Sequence, residues 1–194
     1  LKTYFLFYIN KIILLILINH SAMVKKQEYI QVILDISELP LEICEKIVDS
    51  IYTYKFTDYN KLKEVLNDYP ENIDKYGNIS YWDVSSIKDM KYMFSFSRFD
   101  VDISNWDVSN VKNMAYMFGN NRKFTGDISN WDVNNVKYVN TMFCESVFNG
   151  DISNWNLSKV KSMGRMFMFS KFNGDISNWD VSNIEDMREM FSYS

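Results

Sequence analysis

GDISNWDVSNIEDMREMF, at residues 174–191, is the last of five closely similar stretches, and this repetition decides the fold. The same pattern occurs at residues 77–94, 101–118, 126–143 and 150–167. The five tryptophans of the 194-residue chain all occupy the same place in it, at spacings of 24, 25, 24 and 24 residues. Self-similarity at such a period is typical of proteins whose units bury their apolar faces against one another. The sequence therefore predicts a stack of five repeats.

Each repeat contains two hydrophobic patterns in succession. Asp-Ile-Ser-Asn-Trp-Asp-Val alternates polar and apolar residues, which is typical of a short strand with one buried face. The following Val/Ile-x-x-Met-x-x-Met-Phe is apolar along one face of a two-turn helix, and Ser182 and Glu185 match a capping box in the last repeat. A Phe followed by Asn-Gly then turns the chain back. These patterns predict an α/β fold of five 24-residue strand-helix units.

Stacking places like residues of successive units above one another, so we expect interior columns. Because methionine fills irregular gaps and packs against aromatic rings, we interpret the columns as core, in preference to a methionine-rich metal or peptide site. The structural columns are Trp82, Trp106, Trp131, Trp155, Trp179, Met93, Met117, Met142, Met166, Met190, Phe94, Phe118, Phe143, Phe167 and Phe191.

The acidic residues of the repeats also form columns. One lies before the Ile of each repeat and comprises Asp102, Asp127, Asp151 and Asp175. The other lies after the Trp and comprises Asp83, Asp107, Asp132 and Asp180, with Asn156 in the fourth repeat. Carboxylate ladders suit a hard cation such as calcium, but Asp and Asn beside Ser also cap turns with local hydrogen bonds. We favour the turn-capping interpretation.

The composition excludes several classes of function. A single histidine, His20, excludes most catalytic triads and histidine metal sites, and two cysteines, Cys44 and Cys144, cannot build a disulfide framework. A net charge of −4 argues against nucleic-acid binding. We therefore predict a protein that is not an enzyme, with no catalytic residues, cofactor, bound metal or small-molecule substrate.

Two segments precede the repeats, which occupy residues 76–194. Residues 1–22 are apolar and have three interpretations: translated upstream DNA with Met23 as the true start, a signal peptide, or a membrane anchor. The first predicts an intracellular protein and the second a secreted or cell-surface one. Residues 23–75 predict a helical cap, with amphipathic helices over about 41–51 and 58–69.

The unit G-D-I-S-N-W-D-V-S-N-V-x-x-M-x-x-M-F closely resembles the BspA-type leucine-rich-repeat family of bacterial surface proteins, mycoplasma lipoproteins and giant-virus proteins. That resemblance covers residues 76–194 and implies a leucine-rich-repeat-like solenoid that binds macromolecules through an extended face. Val101 for the turn glycine, Val139 for Met and Asn156 for Asp depart mildly from the pattern. The resemblance brings no catalytic residues.

A second resemblance concerns Leu39-Pro40-Leu41-Glu42-Ile43-Cys44-Glu45-Lys46-Ile47, which is similar to the opening of an F-box. It implies docking on a Skp1-type adaptor, for which the contact residues would be Leu39, Pro40, Ile43 and Ile47.

Two functions follow from the sequence. The first is a non-enzymatic repeat protein that mediates protein–protein or surface interactions with an unknown protein partner. The alternative is an intracellular F-box-like substrate adaptor of a large DNA virus or its host. Because the fifth repeat lacks the Phe-Asn-Gly return, we also expect the natural gene to continue into further repeats beyond residue 194. We expect the 194-residue chain by itself either to fray at the fifth repeat or to self-associate.

Overall fold

The computed structural model describes residue 40, residues 54–71 and residues 73–194. Within these described residues two α-helices precede the repeats, α1 (Tyr59–Asn67) and the short α2 (Ile73–Tyr76). α1 confirms the helix predicted over 58–69; the Asp58 carboxylate caps its start by accepting the Lys61 N–H at 2.9 Å. Its apolar face buries Leu62, Val65 and Leu66. No helix in this described part is long and apolar enough to cross a membrane.

The apolar segment 1–22 and the helix predicted over 41–51 lie outside the described residues. The same is true of Cys44 and of the F-box-like contact residues Leu39, Ile43 and Ile47.

The predicted α/β fold, a leucine-rich-repeat-like solenoid of strand-helix units, is wrong. One 3₁₀ turn, Ile79–Tyr81, occurs in repeat 1, and from Trp82 to Ser194 the backbone forms neither a helix nor a strand. Instead, successive repeats are joined by isolated parallel bridges, which link Asp89, Asn113, Tyr138, Ser162 and Asp186 in order. We number the repeats 1 to 5, over residues 77–100, 101–125, 126–149, 150–173 and 174–194.

Consecutive tight turns explain why the two hydrophobic patterns of each repeat were wrongly interpreted as a strand and a helix. In repeat 2 the Trp106 N–H donates to the Ile103 carbonyl at 3.1 Å, and Met117 does the same to Met114. Each of these two turns therefore directs two apolar residues three positions apart into the core. The residues between Ile103 and Trp106 stay at the surface, whereas Ala115, between Met114 and Met117, is buried. Apolar residues at i and i+3 resemble a helix face, but here they mark the two ends of a turn.

The turns leave every second backbone N–H of the methionine segment free to bond with the next repeat. Four such bonds of 2.9–3.0 Å join repeat 3 to repeat 4, from Val139, Thr141, Phe143 and Glu145 to Ser162, Gly164, Met166 and Met168. A fifth bond runs in the opposite direction, from the Lys161 N–H to the Lys137 carbonyl at 2.8 Å. Because these donors are used between repeats, the segment cannot be an α-helix, whose N–H groups bond within it.

The core lies inside the coil and consists largely of stacked aromatic rings. Phe118, Phe143 and Phe167 lie above one another with centroids 5.6 and 5.7 Å apart. In repeats 2 to 4 a second phenylalanine stacks on this column, as Phe148 does on Phe143 at 4.4 Å. The nearby Gly150 is required, since a Cβ there would lie 2.8 Å from the Phe148 ring. In repeat 2 Val101 takes the glycine's place, and Phe99 is only half-buried.

The extra residue of repeat 2 is absorbed between Phe118 and Phe124. Asn121 is fully buried, and its side-chain oxygen accepts the N–H groups of Lys123 and Phe124, both at 3.0 Å. Its amide donates to the Ser97 hydroxyl of repeat 1 at 3.0 Å. The longer loop is thus held by a hydrogen-bonded side chain, and the stack continues in register beyond it.

Candidate interaction face

The tryptophan, methionine and phenylalanine columns lie in the interior of the stack. Of the fifteen residues, only Phe191 is exposed, at 44%. Each indole N–H also donates to a backbone carbonyl; in repeats 2 to 5 the acceptor belongs to the preceding repeat, and Trp131 reaches the Ile103 carbonyl at 3.1 Å. These columns therefore hold neighbouring repeats together.

The residues of the acidic columns lie at tight turns of the repeat backbone. Each carboxylate accepts the backbone N–H two residues further on, as Asp127 does from Ser129 and Asp151 from Ser153, both at 2.9 Å. Asn156 makes the same bond with Ser158 at 3.1 Å. The backbone N–H of Ser129 and the Ser129 side chain lower the pKa of Asp127 below its ordinary value. The predicted turn-capping role is confirmed by these bonds.

The described residues contain no cluster of three or more His, Cys, Asp or Glu side chains that could hold a metal ion. Neighbouring carboxylates of the acidic columns instead belong to separate turns, and each has its own backbone donor.

A second set of columns consists of residues with left-handed backbone. Two residues of each methionine segment, four positions apart, have φ between 54° and 60°. We call them the inner column (Tyr92, Tyr116, Thr141, Arg165, Glu189) and the outer column (Phe96, Asn120, Glu145, Phe169, Tyr193). Their N–H groups in repeats 1 to 4 make two of the four forward bonds to the next repeat. The left-handed conformation thus helps to point these N–H groups toward the carbonyls of the next repeat.

The left-handed conformation is unusual for these residue types. For an L-residue it costs about 1–2 kcal/mol relative to right-handed backbone, and glycine or asparagine avoids most of this cost. Only Asn120 among the ten is of a type that favours it. The other nine residues therefore carry backbone strain that glycine would relieve.

Most of these side chains reach the surface, and together they form a chemically varied face. In the outer column Phe96 is 74% and Phe169 49% exposed, and Phe169 stacks on Tyr193 at 4.7 Å. In the inner column Tyr92 packs on Tyr116 at 4.7 Å. The face therefore presents one pair of aromatic rings at the start of the inner column and another at the end of the outer column.

Charged residues and a depression occupy the middle of this face. Arg165 pairs with Glu189 of the next repeat, and Arg122 pairs with Glu145 at 3.4 Å. A cavity of about 230 Å³ opens where small Gly164 and Thr141 lie between larger neighbours, and Tyr116 and Arg165 also line it. We call the surface formed by the inner and outer columns the variable face.

Sequence reasoning did not identify the variable face. Nine of its ten residues are neither glycine nor asparagine, the types that normally indicate left-handed backbone, so their conformation had no signal in the sequence. One signal was present: the two residues that follow the first methionine of each repeat (Val139 in repeat 3) differ from repeat to repeat, while the Ser-Asn pair between Ile and Trp recurs in repeats 2 to 5. Of the F-box-like contact residues, the structure describes Pro40 alone, which is exposed.

Comparison with known proteins places the repeats in one family. The model of the family DUF285, described as Mycoplasma protein of unknown function, matches residues 60–169 and again residues 145–194. No curated protein and no solved structure matches the chain. Since the two matches together span more than half of the chain, this protein belongs to the DUF285 family.

Proposed function

We propose that this protein binds another protein through its variable face and catalyses no reaction. The observation that carries the proposal is the left-handed backbone at Tyr, Phe, Arg, Glu and Thr, where glycine would relieve strain. Side chains kept at such cost on a regular scaffold are typical of functional positions. The scaffold supplies rigidity, and the varied side chains supply specificity.

The composition of the face fits a protein partner. Exposed aromatic side chains supply large contact areas at low entropic cost, and arginine and tyrosine are enriched at interfaces. Phe96, Phe169 and Tyr193 are exposed aromatic residues of this kind, and Arg165 is an exposed basic one. The face mixes both charge signs, which suits a polypeptide better than a uniformly charged polymer.

We also assign the repeat to the BspA-type family, because the G-D-I-S-N-W-D-V pattern of that family recurs here. The F-box-like alternative, with a Skp1-type adaptor as partner, depends on Leu39, Ile43 and Ile47 outside the described residues, so the variable face is the better-supported binding surface.

Photocrosslinking tests the proposal. A photoreactive phenylalanine analogue replaces Phe96 or Phe169 in the full chain, and a third variant carries it at Asn130, an exposed residue of a recurring Ser-Asn pair. In an extract of the source cells, we expect a discrete protein adduct from the first two positions and none from Asn130. Equal adducts at all three positions, or none at any, would overturn the proposal.

A further inference from the structure

A second opening of the variable face lies beside repeat 3, at the outer column. This groove has a volume of about 450 Å³, and Glu145, Val147 and Phe169 are among the residues that line it. Val147 is 42% and Phe169 49% exposed, so two apolar side chains meet water at one place. Forward hydrogen bonds hold the backbone here, from Glu145 to Met168 at 2.9 Å and from Phe169 to Ser192 at 3.0 Å. The groove therefore belongs to the bonded middle of the stack.

The apolar floor of the groove results from a change in one column of the repeats. The residue before the second phenylalanine is Arg98, Lys123 and Lys171 in repeats 1, 2 and 4, but Val147 in repeat 3. All four side chains are exposed. Repeat 3 thus interrupts a column of basic residues with an apolar one, and it does so beside the exposed ring of Phe169.

One face of the Phe169 ring is covered, and the other borders the groove. Tyr193 of repeat 5 stacks on the ring with centroids 4.7 Å apart and planes within 5° of parallel. The other residues that line the groove belong to repeats 2, 3 and 4, so the groove lies on the side away from Tyr193. Within the described residues no ring covers that side, because the outer column has Glu145 there. An aromatic side chain from another molecule can therefore stack on Phe169 as Tyr193 does.

The charges around the groove favour an acidic occupant. Arg122 and Glu145 pair at 3.4 Å between repeats 2 and 3, so their charges largely offset each other. Lys123 and Lys171, which flank Val147 in its column, are exposed and make no ion pair within the part of the chain that the structure describes. Two unpaired ammonium groups on either side of an apolar floor complement a carboxylate.

We propose that this groove binds an aromatic side chain of the partner protein that has an aspartate or glutamate next to it in the partner's sequence. The aromatic ring lies on Phe169 and Val147, and the carboxylate pairs with Lys123 or Lys171. This inference rests on the protein-binding function proposed above and names the segment of the partner that the variable face recognises. An anionic lipid surface fits less well, because the Glu145 carboxylate at the groove would repel its headgroups.

Selection from random peptides displayed on phage tests the proposal, with the full chain as the immobilised target. We expect enrichment of peptides in which Phe, Tyr or Trp is adjacent to Asp or Glu. Fluorescence anisotropy then measures the binding of a synthetic copy of the most enriched peptide. Replacing its aromatic residue by Ala should weaken binding by about tenfold or more, and replacing its acidic residue by the amide should weaken it by about threefold or more.

Two protein variants and two matched controls locate the contact. Val147→Glu covers the apolar floor and repels a carboxylate, and Phe169→Ala removes the stacking ring; each should weaken peptide binding by about tenfold or more. Tyr138→Ala removes an exposed ring outside the variable face, and Asn130→Glu makes the same charge change as Val147→Glu elsewhere on the surface. Both controls should leave binding unchanged. Circular dichroism and thermal melting of all four variants separate a local loss of contact from unfolding.

The proposal fails on any of three results. The first is that no peptides are enriched, or only peptides without an aromatic residue beside an acidic one. The second is equal peptide binding by the parent chain, Val147→Glu and Phe169→Ala. The third is binding of the parent chain to vesicles of phosphatidylserine and phosphatidylcholine that Val147→Glu abolishes, which would identify an anionic lipid surface as the occupant.

Photocrosslinking separates this proposal from the protein-binding function itself. Val147→Glu is introduced into the chain that carries the photoreactive analogue at Phe96, and the yield of the protein adduct should fall by about tenfold. An unchanged yield would show that the variable face binds a protein without the groove, so the proposal for the groove would be wrong and the protein-binding function would stand.

Discussion

Repeats 3 and 5 have nearly the same sequence but differ in how much of it they bury. Val133 is 2% exposed in repeat 3, whereas the equivalent Val181 is 44% exposed; Phe143 is fully buried and Phe191 is 44% exposed. Both repeats make the same turns and the same Asx bonds. The comparison teaches that a repeat determines its own turns, while its neighbours on both sides determine its burial.

The largest expected effect is a loss of stability on replacing a tryptophan, and it should differ between repeats 3 and 5. Trp131→Ala should lower the free energy of unfolding by about 3–5 kcal/mol, because it opens a cavity in a buried column. It also removes the hydrogen bond to the Ile103 carbonyl. Trp179→Ala should lose less than half as much, since its column has one neighbour. Urea denaturation of both variants measures the difference, and equal losses would contradict a burial set by neighbours.

Gly150→Ala is the next test of the same comparison. The added Cβ would lie 2.8 Å from the Phe148 ring, which is held between Phe143 and Phe124 and cannot move aside. We expect a loss of about 1–3 kcal/mol, the usual cost of overpacking.

Gly174→Ala provides the matched control for Gly150→Ala. Its Cβ would approach the Phe172 ring at 2.7 Å, but this ring lies in the last turn of the column and can shift toward the open end. Thermal melts should show a smaller loss for Gly174→Ala. A loss as large as that of Gly150→Ala would mean that the end of the stack is as rigid as its middle.

A smaller effect, this time an increase in the free energy of unfolding, is expected for substitutions in the outer column. Phe96 has φ of 56° and contacts no other aromatic ring within the described residues. Phe96→Asn should raise the free energy of unfolding by up to about 1 kcal/mol, because asparagine tolerates left-handed backbone, as at Asn120. Phe169→Asn should gain less, since it loses the ring contact with Tyr193. Denaturant midpoints that fall for both variants would show that the left-handed strain is absent.

The smallest expected effect is on how stability changes with pH, and it arises from the aspartate turns that the repeats share. Hydrogen bonds from Ser129, Ser153 and Ser177 lower the pKa of Asp127, Asp151 and Asp175 below the ordinary value of 3.8. A carboxyl group whose pKa is lowered by folding stabilises the fold at pH values above its ordinary pKa. This stabilisation is lost as the pH falls through the lowered pKa.

Replacing all three aspartates by asparagine tests that contribution. Asparagine keeps the turn, as Asn156 does with Ser158, but it does not titrate. The triple variant should therefore lose less stability than the parent chain between about pH 5 and about pH 2. Urea midpoints across this range measure it; identical acid profiles would show that the carboxylates contribute nothing through their charge.

The sequence predicted the repeat boundaries and α1 but misassigned the structure inside each repeat. The spacing of Ile103 and Trp106, or of Met114 and Met117, fits both a helix face and the two ends of a tight turn. Which one forms depends on where the backbone donors bond. In this stack a neighbouring repeat offers carbonyls in register, and bonding to them replaces the helical bonds.

The variable face could not have been predicted residue by residue. Tyr92 or Arg165 carries no local preference for left-handed backbone, and only the in-register stack makes that conformation favourable.

The sequence by itself determined the number of repeats, their register and the corners of each coil. Those features depend on contacts within a few residues, such as an aspartate that accepts the N–H two positions on. The tertiary structure decided that the methionine segments are turns and that ten of the described residues adopt left-handed backbone. These features depend on hydrogen bonds between residues about 23 apart, whose donors and acceptors meet only when one repeat lies on another.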